Sequence, residues 1–517
     1  MSPLISRVPG LPNAFRMDLP DLAATGQLAA LLAPWLAPGD LVALRGDLGA
    51  GKTAFARALV RVLAGDPLLE VPSPTFSVLV GYEFARVKVT HADLYRVEDP
   101  DELDELGWDE LSADSIVIVE WPDRAAERLA ADRLIIEFDL APDLGPEGRR
   151  AILSGSGEFI ERLDRLHVSE LLIDASGFGG AERRYMQGDA SSRSYARLVL
   201  PDRSAVLMNA PRRPDGPPIR RGLPYSRLAH LAEDVRAFVA VARGLRAQGF
   251  SAPQIYAADL DRGLLVIEDL GDDGVLEGNP PEPIKARYEV AAEVLAALHS
   301  RALPHVLHIA PQSDYVLPVY GVEAFLIELE LMLDWYLPFR NVRADAVVRD
   351  EFLMLWRNAL SPVLNEPQTW VLRDYHSPNL IWLPQREGLQ RMGLIDFQDA
   401  VLGPAAYDVA SLAQDARVDI PENLELHLVG HYVAQRREAD PTFDARAFTH
   451  LYALMGAQRA TKILGIFTRL HQRDGKPQYL RHLPRVRRYL ARCLGHQELG
   501  SLRMWYEAVL PSKDLQT

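Results

Sequence analysis

Apolar positions recur along the chain with two different periods, and they divide it into two unlike parts. In the first part a helical spacing over Asp21 to Leu36 precedes Leu41-Val42-Ala43-Leu44. That short apolar run stands behind Pro38-Gly39-Asp40 and predicts a buried strand. Ala54 to Leu63 then carries Phe55, Ala58, Leu59 and Val62 at helical spacing. Strand-like runs follow over Ser77 to Tyr82, Arg86 to Thr90 and Ile116 to Val119. A helix-like piece, Glu158 to Leu166, and Leu171 to Ile173 lead to Ala175-Ser176-Gly177-Phe178-Gly179-Gly180, which has the small-residue composition of a linker. The second part opens with a β-meander over Arg183 to Gln187, Ser194 to Leu200 and Ser204 to Asn209. A helix over Arg227 to Gln248 and a second strand pair, Ile255 to Ala257 and Leu264 to Leu270, come next. From Ile284 onward the pattern is mainly helical, including Glu289 to His299, Val322 to Leu337 and Phe448 to Phe467. The expected class is α/β: one domain over residues 1–166, a linker over 167–180, and a strand-rich lobe followed by a helical lobe over 181–517.

Composition narrows the function classes. At 517 residues, with 48% hydrophobic and 25% charged residues, the chain can bury two or three cores. A net charge of -15 argues against a broad basic surface, so strong direct nucleic-acid binding is not expected. The single cysteine, Cys493, excludes a disulfide framework and a cysteine-only metal site, as suits a reducing compartment. The longest apolar stretch, near Leu28 to Leu36, holds Pro34 and falls short of the ~18 residues of a membrane span. No basic-then-apolar signal segment opens the chain, and the expectation is a cytoplasmic protein without a membrane partner.

The first predicted strand runs into Gly46-Asp47-Leu48-Gly49-Ala50-Gly51-Lys52-Thr53, which fits G-x-x-x-x-G-K-[ST] and is followed by a helix. Glycines let backbone N–H groups turn inward around a phosphate, and the helix N-terminus adds its dipole. Lys52 brings a point charge to the β- and γ-phosphates, and the Thr53 hydroxyl is placed to ligate Mg²⁺. Val71-Pro72-Ser73-Pro74-Thr75-Phe76 is a stiffened loop whose Thr75 reads either as a γ-phosphate sensor or as a turn residue. Asp93 lies just past one predicted strand, and Glu120 closes the apolar run Ile116 to Val119 ahead of Trp121. Carboxylates at such strand ends are the second half of a P-loop metal site.

These residues resemble the TsaE family. Gly46 to Thr53, Ser73 to Phe76, His91 to Arg96, Glu105-Leu106-Gly107 and Glu120-Trp121 stand in that family's order. The resemblance implies a small parallel-sheet P-loop ATPase that supports threonylcarbamoylation of adenosine 37 in tRNA, working with TsaD and TsaB partners. It implies phosphate binding by Lys52, Mg²⁺ management by Thr53 and Glu120, service to the metal or the hydrolytic water by Asp93, and Trp121 beside the site.

In the second part, Arg373-Asp374 and Asn379 stand at the spacing R-D-x-x-x-x-N, and Gly393-Leu394-Ile395-Asp396-Phe397 is an apolar run ending in aspartate. Kinase chemistry needs an aspartate facing the attacking hydroxyl and oxygen ligands on the metal side; Asp374 fits the first role, Asn379 and Asp396 the second. His376 reads as a hydrogen-bonding loop residue. The polar loop Gly188-Asp189-Ala190-Ser191 and the segment Glu268-Asp269-Leu270-Gly271 extend the pattern. So do Val206 to Pro211, Asp334 to Leu337, Gly403-Pro404, Tyr407-Asp408 and Gln458 to Gly465.

Together they resemble the aminoglycoside-phosphotransferase-like kinases, within them the bacterial amino-sugar kinases of cell-wall recycling. The resemblance implies a bilobal α+β protein-kinase-like domain. It also implies ATP-dependent phosphorylation of the anomeric hydroxyl of N-acetylmuramate or N-acetylglucosamine, with Ser191, Glu268 and Asp269 on the nucleotide side. Two positions depart from the pattern of kinases. Met208 or a neighbour falls where kinases place a phosphate-binding lysine, with Arg193 or Arg197 as stand-in cations, and Leu372 occupies a position that often holds histidine. The expectation is a bifunctional enzyme using ATP and Mg²⁺. The alternative is a TsaE-like ATPase carrying a catalytically silent kinase-like domain. Glu328, Asp334 and Trp335 are candidates for the acceptor pocket.

Overall fold

The structure, a computed structural model, describes residues 4–74, 77–84, 87–186, 193–212, 215–310, 313–365 and 367–511. The chain divides into two compact units, Met1–Pro211 with Ile255–Asp269, and Arg212–Gln254 with Leu270–Thr517.

The first unit holds an eight-stranded sheet of β1 (Ser6–Val8), β2 (Leu11–Leu19), β3 (Leu41–Arg45), β4 (Leu79–Glu83), β5 (Lys88–Asp93), β6 (Ser115–Glu120), β7 (Leu134–Leu140) and β8 (Arg149–Gly155). Its order is β1-β2-β8-β7-β3-β6-β5-β4. The centre, β7-β3-β6-β5, is parallel, and the flanks pair antiparallel. The expected parallel sheet is thus the middle of a mixed one. Every residue of β6 is buried, as a strand covered on both faces requires, and this is why Ile116 to Val119 reads as a continuous apolar run. In β2 and β7 inward Phe15, Met17, Leu134, Ile136 and Phe138 alternate with polar or partly exposed neighbours.

The P-loop helix spans Lys52–Ala64, starting before the apolar spacing begins because left-handed Gly51 (φ 111°) opens it. Left-handed Gly65 closes it, its N–H donating to the carbonyls of Arg61 and Val62. Phe55, Leu59 and Leu63 go into the core, each stabilising by roughly 1.5–3 kcal/mol.

A second, antiparallel sheet of five strands belongs to the same unit, in the order Ile255–Asp259, Leu264–Glu268, Ser204–Asn209, Ser194–Val199, Glu182–Met186. The stretch 167–180, with a linker's composition, is folded: one helix runs over Glu158–Ile173 and a wide turn over Asp174–Phe178 follows. Its apolar residues serve two cores. Leu163 and Leu166 pack with the eight-stranded sheet, while Ile173 and Phe178 pack with Ala196, Leu198, Ala205, Leu207 and Val266. A buried Arg183–Glu170 ion pair of 2.8 Å and an Arg165-to-Asn209 hydrogen bond of 2.6 Å fix the helix to the five-stranded sheet.

The second unit is mainly helical. The helix expected over Arg227 to Gln248 is a short turn, Tyr225–Leu228, then a helix over Val235–Ala247 whose N-cap Asp234 accepts the Arg236 N–H. Val322–Leu331 continues into a wider turn, Met332–Tyr336. The helix expected over Phe448 to Phe467 extends to Ala445–Gln472, with Asp444 capping it through the N–H groups of Arg446 and Ala447. Two short antiparallel pairings position the chemistry, Gln368–Val371 with Val401–Pro404 and Leu380–Trp382 with Met392–Leu394. Among the described residues no helix is long and apolar enough to cross a membrane.

Candidate active sites

Asp93 and Glu120 are the last residues of neighbouring parallel strands and sit in register with one another. β3 delivers the P-loop to the same edge, where open parallel sheets bind ligands. Gly46, Gly49 and Gly51 all take positive φ, and a Cβ on Gly46 would lie 2.3 Å from the Phe138 carbonyl oxygen. Asp47, Leu48 and Gly49 face outward and Ala50 is buried. Lys52 Nζ donates to the carbonyls of Gly46 (2.7 Å) and Asp47 (2.9 Å) and lies 3.8 Å from the centre of the Trp121 ring. Burial pushes the Lys52 ammonium below its usual range, opposed by the charges of Glu120, Asp93 and Asp47. The Trp121 ring packs against Tyr95 at 5.1 Å.

Thr53 Oγ1 donates to Glu120 Oε2 at 2.8 Å, and His91 Nε2 stands 3.0 Å from Glu120 Oε1. His91 is fully buried, with Nε2 toward Glu120 and an Nδ1 that makes no hydrogen bond. Asp93 Oδ1 accepts the Tyr95 N–H at 3.1 Å. A hydroxyl and a carboxylate beside a glycine cradle fit Mg²⁺, which keeps most of its waters and takes few protein ligands. Among the described residues no three His, Cys, Asp or Glu side chains converge into a metal cage. Thr75 lies outside the described residues.

In the second unit, pairing of Leu380 with Leu394 brings Asn379 beside Asp396. Asn379 Nδ2 donates to the Asp374 carbonyl (2.9 Å) and stands 3.5 Å from Asp396 Oδ2, while Gln398 Nε2 donates to Asp396 Oδ1 (2.9 Å). These bonds hold the Asn379 amide beside the Asp396 carboxylate, and an amide and a carboxylate side by side are residue types that fit Mg²⁺. Asp374 is 43% exposed at its side chain, open to an acceptor. Arg373 and Asp396 both hold left-handed backbone, φ 66° and 57°.

The loop is gripped from below. Asp408 accepts the N–H groups of Leu372 (2.6 Å) and Arg373 (2.9 Å), and burial pushes its carboxyl up to about 7. Leu372 itself is buried, so backbone rather than a side chain supports the loop at this position. Arg373 reaches Glu328, which also accepts from Lys462 Nζ (2.8 Å), Tyr320 Oη (2.5 Å) and Gln458 Nε2 (3.2 Å). Burial alone would raise the Glu328 carboxyl, but Lys462 and Arg373 outweigh it and hold it below the usual carboxylate range. His376 is buried against Arg417 (3.0 Å), and burial followed by the Arg417 charge holds its imidazole neutral.

Glu328 is therefore a fully buried ionic hub rather than an acceptor-pocket residue, and Asp334 is ion-paired with Arg349. Glu268 and Asp269 lie in the first unit, closing the strand Leu264–Glu268; Arg197 Nε is 2.8 Å from Asp269 Oδ2. Met208 is buried between Tyr195 and Leu265. Ser191 lies outside the described residues. Of these supports, His91 and Asp408 stand within the segments His91 to Arg96 and Tyr407-Asp408 that carry the resemblances, and Glu328 is a lone carboxylate in the apolar run Phe325-Leu326-Ile327-Glu328-Leu329.

Residues 183–447 match the phosphotransferase enzyme family. The chain belongs to that family. Residues 19–149 match the family described as threonylcarbamoyl adenosine biosynthesis protein TsaE, so this phosphotransferase is fused behind a TsaE domain. The N-acetylmuramate/N-acetylglucosamine kinase of Caulobacter vibrioides is 38% identical over 361 residues, 67% of this chain and 97% of that protein. The enzyme of the same description from Pseudomonas aeruginosa is 34% identical over 350 residues, 65% of this chain and 92% of its own length. The tRNA threonylcarbamoyladenosine biosynthesis protein TsaE of Rickettsia conorii is 42% identical over 97 residues, 19% of this chain and 55% of that protein. The phosphotransferase is thus an enzyme with two parts, both from ATP-using families.

Proposed function

We propose that the TsaE domain hydrolyses ATP in support of threonylcarbamoyladenosine formation at position 37 of tRNA, acting with TsaD- and TsaB-like partners. The phosphotransferase domain transfers the γ-phosphoryl group of ATP to the anomeric hydroxyl of N-acetylmuramate or N-acetylglucosamine. What supports this reading is that each motif loop brings two metal-capable residues together, Thr53 to Glu120 at 2.8 Å and Asn379 to Asp396 at 3.5 Å.

In the first site the loop 46–51 cradles phosphates, Lys52 neutralises their charge, Thr53 and Glu120 hold the metal, Asp93 orients water, and Trp121 walls the site. In the second, Asp374 takes the proton of the sugar hydroxyl as the anomeric oxygen bonds to the γ-phosphorus and the bond to the ADP oxygen breaks. Asn379 and Asp396 would hold the metal. Mg²⁺, when bound, offsets charge on the transferring group. A silent kinase domain is the second reading, motivated by Met208 at the lysine position. Incubating the full chain with ATP, Mg²⁺ and each sugar and assaying sugar 1-phosphate tests the choice. Product is expected; its absence with both sugars supports the silent domain.

A further inference from the structure

Arg417 is brought to the catalytic loop twice, once by its backbone and once by its side chain. Fully buried Asp415 accepts the Ser377 N–H (2.9 Å) and hydroxyl (2.5 Å) on Oδ2 and the Arg417 N–H (2.8 Å) on Oδ1. One carboxylate thus ties the loop that carries Asp374 to the backbone of Arg417. The Arg417 Nη1 lies 3.0 Å from His376 Nε2, and that same nitrogen lies 3.8 Å from Asp374 Oδ1. A guanidinium has no acceptor, so Nε2 accepts from Arg417, and the buried imidazole touches both the cation and the aspartate.

Neighbouring cations already have their anions. Arg373 and Lys462 are tied to Glu328, and Arg485 and Arg488 to Asp419 at 2.8 and 2.7 Å. Among the described residues no carboxylate stands within ion-pair distance of the Arg417 side chain, whose one hydrogen bond goes to His376. Solvent reaches both ends of the arrangement: the Asp374 side chain is 43% exposed and Arg417 is partly exposed. With Nη1 anchored, the other N–H groups of the fork remain for a planar anion.

The anomeric hydroxyl that Asp374 serves and the lactyl ether of N-acetylmuramate are borne by one six-membered ring. The carboxylate of that sugar must therefore dock close to Asp374, where Arg417 is held. We infer that Arg417 recognises the lactyl carboxylate that distinguishes N-acetylmuramate from N-acetylglucosamine. The inference rests on the sugar-kinase reading above and deepens it. Asp374 serves the hydroxyl common to both sugars, and Arg417 sorts the acid from the neutral acceptor.

The test uses the full chain and measures sugar 1-phosphate, which the P-loop ATPase does not produce. Arg417→Gln is expected to lower kcat/KM for N-acetylmuramate, relative to N-acetylglucosamine, about tenfold or more, mostly through KM. Arg417→Lys is expected to recover part of that loss. With the unaltered chain, the carboxamide of N-acetylmuramate should be a poorer acceptor than the acid by a similar factor, a comparison that needs no variant to fold. In Arg417→Gln this preference for acid over amide should vanish. An equal loss for both sugars, or a preference that survives in Arg417→Gln, would overturn the inference and restrict Arg417 to holding His376. An unaltered chain that phosphorylates both sugars but uses acid and amide equally would overturn this inference alone. One that phosphorylates neither sugar would overturn the kinase reading and this inference with it.

Discussion

Thr53 Oγ1 lies 2.8 Å from Glu120 Oε2, joining the P-loop helix to the end of the neighbouring strand through one carboxylate that His91 holds at its other oxygen. Removing the charge while keeping the shape should disable the metal-holding pair. Glu120→Gln is expected to lower ATP hydrolysis on the order of a hundredfold, measured as phosphate release in the reconstituted tRNA-modifying system. A rate within about twofold of the unaltered chain would contradict the role given to Glu120.

The P-loop glycines make unequal predictions. Gly46 has φ 129° and no room for a Cβ, which would meet the Phe138 carbonyl at 2.3 Å, whereas Gly49 has φ 81° and nothing within 4 Å. Gly46→Ala should cost about 1–3 kcal/mol or more, and Gly49→Ala about 1 kcal/mol, from backbone strain alone. Thermal denaturation should rank Gly46→Ala clearly below Gly49→Ala, and equal melting points would contradict the close approach.

Glu328 and Arg373 form an ion pair with side chains 0% and 2% exposed, beside Asp374. Glu328→Gln leaves Arg373 and Lys462 buried without their anion, at an expected cost of about 3–5 kcal/mol. Because Arg373 sets the backbone entering Asp374, kcat for the sugar should fall more than KM rises. A variant that loses stability but keeps kcat would restrict Glu328 to packing.

Much of both sites was legible in the sequence for a physical reason. A phosphate cradle and a catalytic loop are local, so Gly46 to Thr53 and Asp374 to Asn379 are each one short stretch, whereas Glu120, 67 residues from Thr53, announces itself by ending an apolar run. Supports are not local. Asp408 grips Leu372 and Arg373 from 36 and 35 residues away, and Glu328 reaches Arg373 across 45, distances that no periodicity encodes. Stretch 167–180 reads as a linker because Gly177, Gly179 and Gly180 dominate its composition, while the residues that bind it down, Glu170, Ile173 and Phe178, find partners only in the folded sheet. The mixed sheet was half visible: β2 and β7 alternate, and alternation with polar neighbours is a weaker signal than the solid run of β6.

Two buried imidazoles predict acid sensitivity. Burial, with Arg436 next, lowers His299 to about 3, and burial, with Arg485 next, lowers His482 to about 4. Below pH about 6.5 the unfolded chain binds protons that the folded chain refuses, so stability is full above 6.5 and falls as pH drops toward 4 and 3. Each group contributes a slope of up to about 1.4 kcal/mol per pH unit. His299→Gln should flatten the urea-midpoint profile between pH 6.5 and 4; an unchanged slope would contradict a neutral buried His299.

The claim of two independent catalytic centres is tested most directly by crossing two variants with two assays. Lys52→Ala should abolish support of threonylcarbamoyl-tRNA synthesis and leave sugar 1-phosphate formation within about twofold, while Asp374→Ala should do the reverse. Loss of both activities in either variant, or survival of sugar phosphorylation in Asp374→Ala, would contradict it.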